Sequence, residues 1–502
     1  MKRRPLPLSR RDPGFGAGRA LLALLLSLGA TLGRASDRGT VTIAPMAILR
    51  ERTGITGAGW GVAYDVADGE TRGRQVVAIY PNHPDDWGKT TGTGLSYSRD
   101  DGKTWIAGAD NSPIPHMVDL WQDQLPDGTL VALGIRELPD PKKPPQPGPD
   151  GFFTGTFTVG VSRDGGGSWK TGTATARSAT EIGPIARPLP RIFLAHDGAW
   201  LMPAYSWSPR GSRALLLKST DQGRNWDVAA TVATAEAVRA LGVPVTTPWF
   251  ENMIARTADG SLLAVIRTAS NARGALVTAR SVDQGATWSA PVRLLAGPEK
   301  KMVAGKLPNL TLLPNGVLVL LTAHTKNHCR IYVSWDGRGH EWSDAYVVTS
   351  HTGGNTSLVP TGRDQLLVLT PATGRISAWA LTIRPASGPP GATAGPSPPT
   401  DVRATLSGNG VMLRWAGITA DAGIRYLVTP VLVKAPEAEM AIERYAPIEV
   451  PAAVTSLALE KNLAPGATYR FEIASVDRAG ATSPAVTTGE MTLGAQTTRA
   501  VN

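Results

Sequence analysis

The sequence predicts an all-β protein, with a six-bladed β-propeller over residues 40–385 and a smaller β-sandwich over residues 400–495. Two interleaved repeats predict the propeller, and a break in composition separates the sandwich from it. The first repeat reads Ser-x-Asp, then glycine, then a closing tryptophan, and its five copies begin at Ser98, Ser162, Ser219, Ser281 and Ser334. The second is Asp-Gly or a related pair followed by an apolar run, and its six copies begin at Asp68, Asp127, Asp197, Asp259, Asn315 and Arg363. Together they give about four strands per unit, which is typical of propeller blades.

The Ser-x-Asp repeat predicts the tip of a β-hairpin. Its aspartate accepts hydrogen bonds from backbone amides of the same turn, and its glycine adopts the positive φ that the turn needs. The tryptophan folds back and closes the loop against the sheet. We therefore expect these aspartates to be structural rather than catalytic.

The apolar runs predict strands that are buried on both faces between neighbouring sheets, because Val, Leu and Ile occupy consecutive positions in them. The sixth unit lacks the Ser-x-Asp motif. We expect Thr40–Leu49 (TVTIAPMAIL) to complete its sheet and close the ring.

Residues 1–35 have a basic start, an apolar core at Ala20–Leu28 and small residues before Ser36, which predicts a secretory signal peptide. The pair Arg10-Arg11 is compatible with twin-arginine export, and an ordinary secretory signal is an equal alternative. The protein is thus expected to be secreted or periplasmic. These residues include seven basic side chains and one acidic one, so their removal lowers the formal net charge from +10 to +4. A charge of this size does not predict binding to nucleic acid.

After residue 35, no segment is both apolar and long enough to span a bilayer. The single cysteine, Cys329, excludes an internal disulfide. The seven histidines have no paired metal-ligand spacing, so we predict no metal and no cofactor. The sequence does not predict an oligomeric state.

The C-terminal part begins after a Pro/Gly/Ser-rich linker at residues 386–399. Short alternating strands follow, as in a β-sandwich. The segment Leu463-x-Pro-Gly-x-x-Tyr469 resembles the tyrosine corner of a fibronectin type III domain, and we expect this part to space or anchor the protein rather than to carry chemistry.

A ligand site on a propeller is expected at one end of the central channel, where the inner strands expose their terminal side chains. Polar residues recur at these positions. The ends of the apolar strands carry Tyr80, Arg136, Tyr205, Arg267 and His324, and the segments entering the units carry His116, Asp119, Glu251, Asn309 and Asn355.

With its Ser-x-Asp repeats, the chain resembles the sialidase superfamily of six-bladed propellers. In that comparison, Glu251 resembles the glutamate that assists the nucleophile, and Arg267 and Arg330 resemble two arginines of the triad that binds the substrate carboxylate. Asp85 and Asp86 lie where the family keeps its acid/base aspartate, with Asp86 preferred on position. Arg136, Asn355 and His116 are further candidates for substrate binding. The resemblance implies a secreted exo-sialidase that releases terminal sialic acid or a related anionic sugar from glycans.

Two departures from the family pattern leave other functions open. The segment Thr56–Gly69 lacks the first triad arginine, which Arg52 or Arg136 would have to replace. Asn355 stands where the family has its nucleophilic tyrosine, and an amide is not a nucleophile of that kind. Tyr205 or Tyr346 could substitute, or Glu251 could act as a base on water in an inverting reaction. The alternatives are a propeller glycosidase or lyase with another glycan substrate, and a non-catalytic carbohydrate-binding propeller.

Overall fold

The computed structural model describes residues 32–36, 38–51, 60–67, 72–81, 93–107, 119–135, 145–164, 168–207, 211–247, 249–269, 274–323, 328–349, 356–372, 375–385, 396–408, 410–417, 424–434, 443–445, 447–459, 463–476 and 483–494. These residues form strands almost throughout. They contain one helix, α1 (Ala235–Ala240), whose N-cap Thr234 accepts a hydrogen bond from the Ala237 amide.

The strands form consecutive antiparallel units along the chain. The N-terminal strands are β1 (Leu32–Ser36) and β2 (Gly39–Glu51), and the first unit contains β3 (Trp60–Ala67), β4 (Arg72–Pro81), β5 (Thr93–Ser98) and β6 (Ile106–Ala107). The second unit contains β7 (Asp119–Gln124), β8 (Leu130–Ile135), β9 (Phe152–Ser162) and β10 (Lys170–Ala179). The third contains β11 (Ile185–Pro188), β12 (Phe193–Leu194), β13 (Trp200–Ser206), β14 (Arg213–Ser219) and β15 (Asn225–Thr234). A parallel pairing of β10 with β15 joins the second and third units into one curled sheet.

The fourth unit contains β16 (Asn252–Arg256), β17 (Leu262–Arg267), β18 (Leu276–Ser281) and β19 (Val292–Arg293), and it is followed by the short hairpin β20 (Leu295–Ala296) and β21 (Lys301–Met302). The fifth contains β22 (Lys306–Leu312), β23 (Leu318–Ala323), β24 (Cys329–Ser334) and β25 (Ala345–Thr349). The sixth contains β26 (Ser357–Pro360), β27 (Gln365–Ala372) and β28 (Arg375–Pro385). Strand β2 pairs antiparallel with β28, which confirms that the segment Thr40–Leu49 completes the last sheet.

The apolar strands are buried on both faces, as predicted. Every residue of β13, β17 and β23 is buried. Separate apolar cores lie between neighbouring units: Trp121 and Met202 belong to the core between the second and third, and Phe250 and Leu216 to the core between the third and fourth. The first strands of the first, second, fourth, fifth and sixth units also contact one another, since β3 lies against both β7 and β26, and β22 lies against both β16 and β26. These first strands are therefore the innermost ones.

The Ser-x-Asp turns have the hydrogen bonds that the sequence predicts. In the third unit, the Ser219 hydroxyl donates to Asp221 Oδ1 and accepts from the Gly223 amide, and Trp226 Nε1 donates to the Gly223 carbonyl at 2.9 Å. Gly223 has a φ of 84°, which a side chain would strain. The turns at Ser98, Ser281 and Ser334 repeat the Ser–Asp, Gly–Ser and Trp–Gly hydrogen bonds. Their aspartates therefore hold hairpins together.

The C-terminal unit begins with β29 (Thr400–Ser407), β30 (Gly410–Ala416), β31 (Arg425–Lys434), β32 (Glu443–Arg444) and β33 (Ile448–Pro451), and it ends with β34 (Ser456–Leu459), β35 (Thr468–Val476), β36 (Val486–Thr487) and β37 (Met491–Thr492). Tyr469 Oη accepts a hydrogen bond from the Ala464 amide at 2.9 Å, five residues upstream. The sequence predicts that this unit is separate from the six preceding units, but in the structure it is joined to one of them. Strand β32 pairs with β25, so the fifth unit and the C-terminal unit share one sheet.

Candidate functional site

Glu251 and Arg267 meet at the end of the fourth unit. Glu251 directly precedes the innermost strand β16, and Arg267 is the last residue of the adjacent strand β17. The Arg267 amide donates to the Glu251 carbonyl at 2.8 Å, and Arg267 Nη1 donates to Glu251 Oε2 at 2.6 Å. Both residues are only 5% exposed. The structure thus brings together two of the side chains that the sequence selected.

Arg187 is a third member of this cluster, and it is not among the residues that the sequence predicts for the site. It lies in β11, the first strand of the third unit, and its Nη1 donates to Glu251 Oε1 at 3.3 Å. Its exposed fraction is 4%. Its position in the sequence is a usable signal, because Arg187 lies in the segment that enters the third unit, as Glu251 does in the fourth. Arg187, Glu251 and Arg267 are called the Arg–Glu–Arg cluster below.

The guanidinium group of Arg267 is held in a fixed orientation. Its Nε donates to the Ala269 carbonyl at 2.8 Å, and its Cζ lies 5.6 Å from the centroid of the Trp249 ring. A cation over an aromatic face is attracted by the ring quadrupole. Arg267 is therefore positioned by a carboxylate, a carbonyl and an aromatic ring, which preorganises it for recognising a planar anionic group.

Tyr205 lies beside the cluster but is not on an exposed rim. It is directly opposite Arg187 in the antiparallel pair of β11 and β13, so the two side chains lie on the same face of the sheet. Its exposed fraction is 0%, and it packs in the apolar core with Trp207, at a ring-centroid distance of 6.1 Å. A role as nucleophile would require a path for the substrate to this buried hydroxyl. Tyr346, the other candidate, is buried in the core between the fifth and sixth units.

Arg330 has a partner outside the propeller units. It is buried at the start of β24, and its guanidinium group forms an ion pair with Glu443 of β32. It makes no hydrogen bond or ion pair with Glu251, whose partners are Arg187 and Arg267. The predicted pairing of Arg330 with a ligand carboxylate is therefore replaced in this structure by a carboxylate of the same chain.

Five predicted site residues lie outside the residues that the structure describes: Asp85, Asp86, His116, Arg136 and Asn355. The same holds for Arg52 and His324. Their roles stay predictions. Two other polar positions are described: Tyr80 is buried with its hydroxyl 2.9 Å from Ser96 Oγ, and Asn309 Nδ2 donates to the Thr356 carbonyl at 2.8 Å.

Amide side chains of the innermost strands connect neighbouring units. Besides Asn309, Gln122 Nε2 donates to the Val77 carbonyl at 2.8 Å, and Asn252 Nδ2 donates to the Ala204 carbonyl at 3.2 Å. These bonds join sheets that share no backbone pairing at those points. Asn252 follows Glu251 directly, so its anchoring helps to fix the backbone that carries the cluster.

The cluster can bind an anion because it contains two guanidinium groups and one carboxylate. Each oxygen of Glu251 accepts from one arginine, and a carboxylate oxygen has a second lone pair that can accept from a water or a sugar hydroxyl. Buried charges interact more strongly than charges in water.

Within the described ranges, no three His, Cys, Asp or Glu side chains lie together in a way that would hold a metal ion. The one helix in these ranges lacks the length and apolar character that crossing a membrane requires.

Residues 146–370 match the family of BNR repeat-like domains. The matched segment contains four of the five Ser-x-Asp turns together with the whole Arg–Glu–Arg cluster. This part of the chain is thus similar to the BNR repeat-like domains. No curated protein matches the chain.

Solved structures that resemble the chain include glycoside hydrolases. The Penicillium chrysogenum α-L-arabinanase complexed with arabinobiose is 14% identical, over 67% of this chain and 98% of the arabinanase, with a TM-score of 0.44. The Fusarium graminearum α-L-arabinofuranosidase with arabinobiose is 12% identical, over 69% of this chain and 98% of that chain, with a TM-score of 0.45. The Trypanosoma rangeli sialidase in complex with the inhibitor DANA is 12% identical, over 87% of this chain and 86% of the sialidase, with a TM-score of 0.38.

Proposed function

We propose that this protein is an exported propeller glycosidase that acts on a glycan ending in an anionic sugar, with sialic acid as the first candidate. The observation that supports this most is the buried Arg–Glu–Arg cluster, which lies where β16 begins and β17 ends, against β11 of the third unit. Arg187 and Arg267 are the groups that would bind the sugar carboxylate, because a guanidinium group offers it two parallel hydrogen bonds. Glu251 would then act on the attacking group, either a tyrosine hydroxyl or a water molecule.

The proposal includes the architecture, a six-bladed propeller over residues 40–385 and a fibronectin type III-like unit over residues 400–495. The contact of β26 with β3 supports closure between the last and first units. The hydrogen bond of Tyr469 to Ala464 supports the second assignment, since a tyrosine hydroxyl bonded to the backbone a few residues upstream is the feature of a tyrosine corner.

The acid is proposed to be Asp86 or Asp85, and export is proposed to remove residues 1–35. Cleavage before Ser36 would remove most of β1 and leave the pairing of β2 with β28 intact. N-terminal sequencing of the exported protein tests this, with Ser36 as the expected first residue.

A second function is favoured by two observations at the same cluster. Both oxygens of Glu251 are held by arginines, and Tyr205 is completely buried. Together with Asn355 in the place of the family tyrosine, these favour a propeller that binds an anionic glycan without cleaving it. The two functions share the ligand and differ in turnover.

The experiment is a reporter-release assay on a fluorogenic sialoside and a panel of uronic-acid and neutral glycosides. The glycosidase proposal expects release from an anionic member, and expects Glu251→Gln to reduce kcat strongly while the KM changes little. Glu449→Gln is the control, because Glu449 pairs with Arg425 at a partly exposed position in the C-terminal unit. If wild type releases no reporter but binds the free anionic sugar, the non-catalytic function replaces the glycosidase. Release from neutral members alone contradicts both.

A further inference from the structure

The boundary between the fifth unit and the C-terminal unit is a shared sheet. Strand β32 runs parallel to β25, with Ala345 opposite Glu443 and Tyr346 opposite Arg444. The same strand also pairs antiparallel with β31 of the C-terminal unit. The backbone of β32 therefore bridges two bodies that the sequence separates by a Pro/Gly-rich linker.

Two buried ion pairs of opposite polarity cross this boundary. Glu443 of the C-terminal unit pairs with Arg330 of the fifth unit, and Arg444 of the C-terminal unit pairs with Asp344 of the fifth unit. Consecutive residues of a strand point to opposite faces, so the two pairs fasten the two faces of the shared sheet. All four side chains are buried or nearly so.

Neighbouring groups support each pair. Arg444 Nη2 also lies 3.2 Å from Glu472 Oε1, and His328 Nδ1 lies 3.6 Å from Glu443 Oε2. The aromatic ring of Tyr445, next in the chain, contacts His328 edge-on at a centroid distance of 6.3 Å. The interface thus combines strand pairing, charge complementarity and aromatic packing within the three residues 443–445.

Buried ion pairs add little net stability compared with apolar contacts, but leaving one partner alone in the interior is strongly destabilising. Separation of the two units would break both ion pairs, Arg330–Glu443 and Asp344–Arg444, at once. Alternating charge on adjacent residues also fixes the register, since a shift by one residue would place like charges together.

We infer that the double ion pair Arg330–Glu443 and Asp344–Arg444 locks the C-terminal unit to the fifth propeller unit, so that the two unfold as one cooperative body. The C-terminal unit is then a fixed part of the protein and not a module on a flexible tether. This inference is independent of the proposed function, because it requires neither a ligand nor turnover.

The test uses the full chain with a protease site inserted in the linker at residues 386–399, cut after folding. We expect the two pieces of the nicked wild type to elute together in gel filtration and to unfold in a single calorimetric transition. Glu443→Gln should weaken the association of the pieces by at least about tenfold, which corresponds to ~1.4 kcal/mol. Glu449→Gln, within the C-terminal unit, should leave the association unchanged.

The charge-exchanged double variant Arg330→Glu with Glu443→Arg should restore part of the association that either single exchange loses. Asp344→Asn tests the second ion pair by the same measurement of association. It replaces Glu443→Gln in the experiment if that variant does not fold. Separate elution of the wild-type pieces, or equal behaviour of Glu443→Gln and Glu449→Gln, would overturn the inference.

Discussion

Replacing Asp221 by alanine should destabilise the third propeller unit without changing any ligand contact. Asp221 accepts four hydrogen bonds in its turn, from the Ser219 hydroxyl, the Arg224 amide, and the amide and side chain of Asn225. A net hydrogen bond is worth about 0.5–1.5 kcal/mol, and the turn is partly exposed, so water replaces some of the lost partners. We therefore expect a total loss of about 1–3 kcal/mol.

The assay is thermal unfolding at neutral pH, where each kcal/mol corresponds to roughly 2–4 °C in a domain of a few hundred residues. Asp227→Ala is the matched control, because Asp227 is an exposed aspartate on strand β15, just after the turn that Asp221 holds. The two variants remove the same chemical group from neighbouring positions. An unchanged melting temperature for Asp221→Ala, or an equal loss in Asp227→Ala, would refute the assignment of the Ser-x-Asp aspartates to hairpin stability.

Three further predictions follow from the same structure. A double-mutant cycle of Arg187→Met and Glu251→Gln should show a coupling free energy of about 1–3 kcal/mol in unfolding, because the two side chains are in buried contact, and additive effects would contradict that contact. The hydrogen bond from the Thr287 hydroxyl lowers the pKa of Asp283 from 3.8 to about 2, so its contribution to stability is present above about pH 4 and is lost as the pH falls toward 2. Asp283→Asn should make the melting temperature depend less on pH across that interval. A pH dependence as steep as that of wild type would contradict the assignment. Burial raises the pKa of the Cys329 thiol, so iodoacetamide at pH 8 should label it only after denaturation, and labelling of the native protein would refute its burial.

The local features of the fold were predictable because each is encoded within a few residues. The Ser-x-Asp turns depend on a side chain that bonds its own turn, and the sheet-completing role of Thr40–Leu49 follows from an apolar run beside a sheet that lacks a strand. The pairing of Glu251 with Arg267 was also within reach, since adjacent antiparallel strands place the start of one next to the end of the other.

The remaining contacts join parts that are distant in the chain. Arg330 carries no local sign that its partner is Glu443, because that pairing depends on how the C-terminal unit docks. Arg187 reaches Glu251 from another sheet, and only the packing of the third unit against the fourth brings them together. Periodicity and turn chemistry specify units, whereas these contacts depend on the arrangement of units in space.

The proposed role of the Arg–Glu–Arg cluster is to bind the carboxylate of a sugar. Its most direct test is calorimetric titration of wild type and Arg267→Ala with sialic acid, glucuronic acid and galactose, after both proteins have been shown to melt cooperatively. We expect an acidic sugar to bind to wild type, and Arg267→Ala to weaken this binding by about 2–5 kcal/mol because the ligand carboxylate loses a buried partner. Equal affinity of Arg267→Ala and wild type for the acidic sugar, or binding of galactose in preference to both acids, would contradict it.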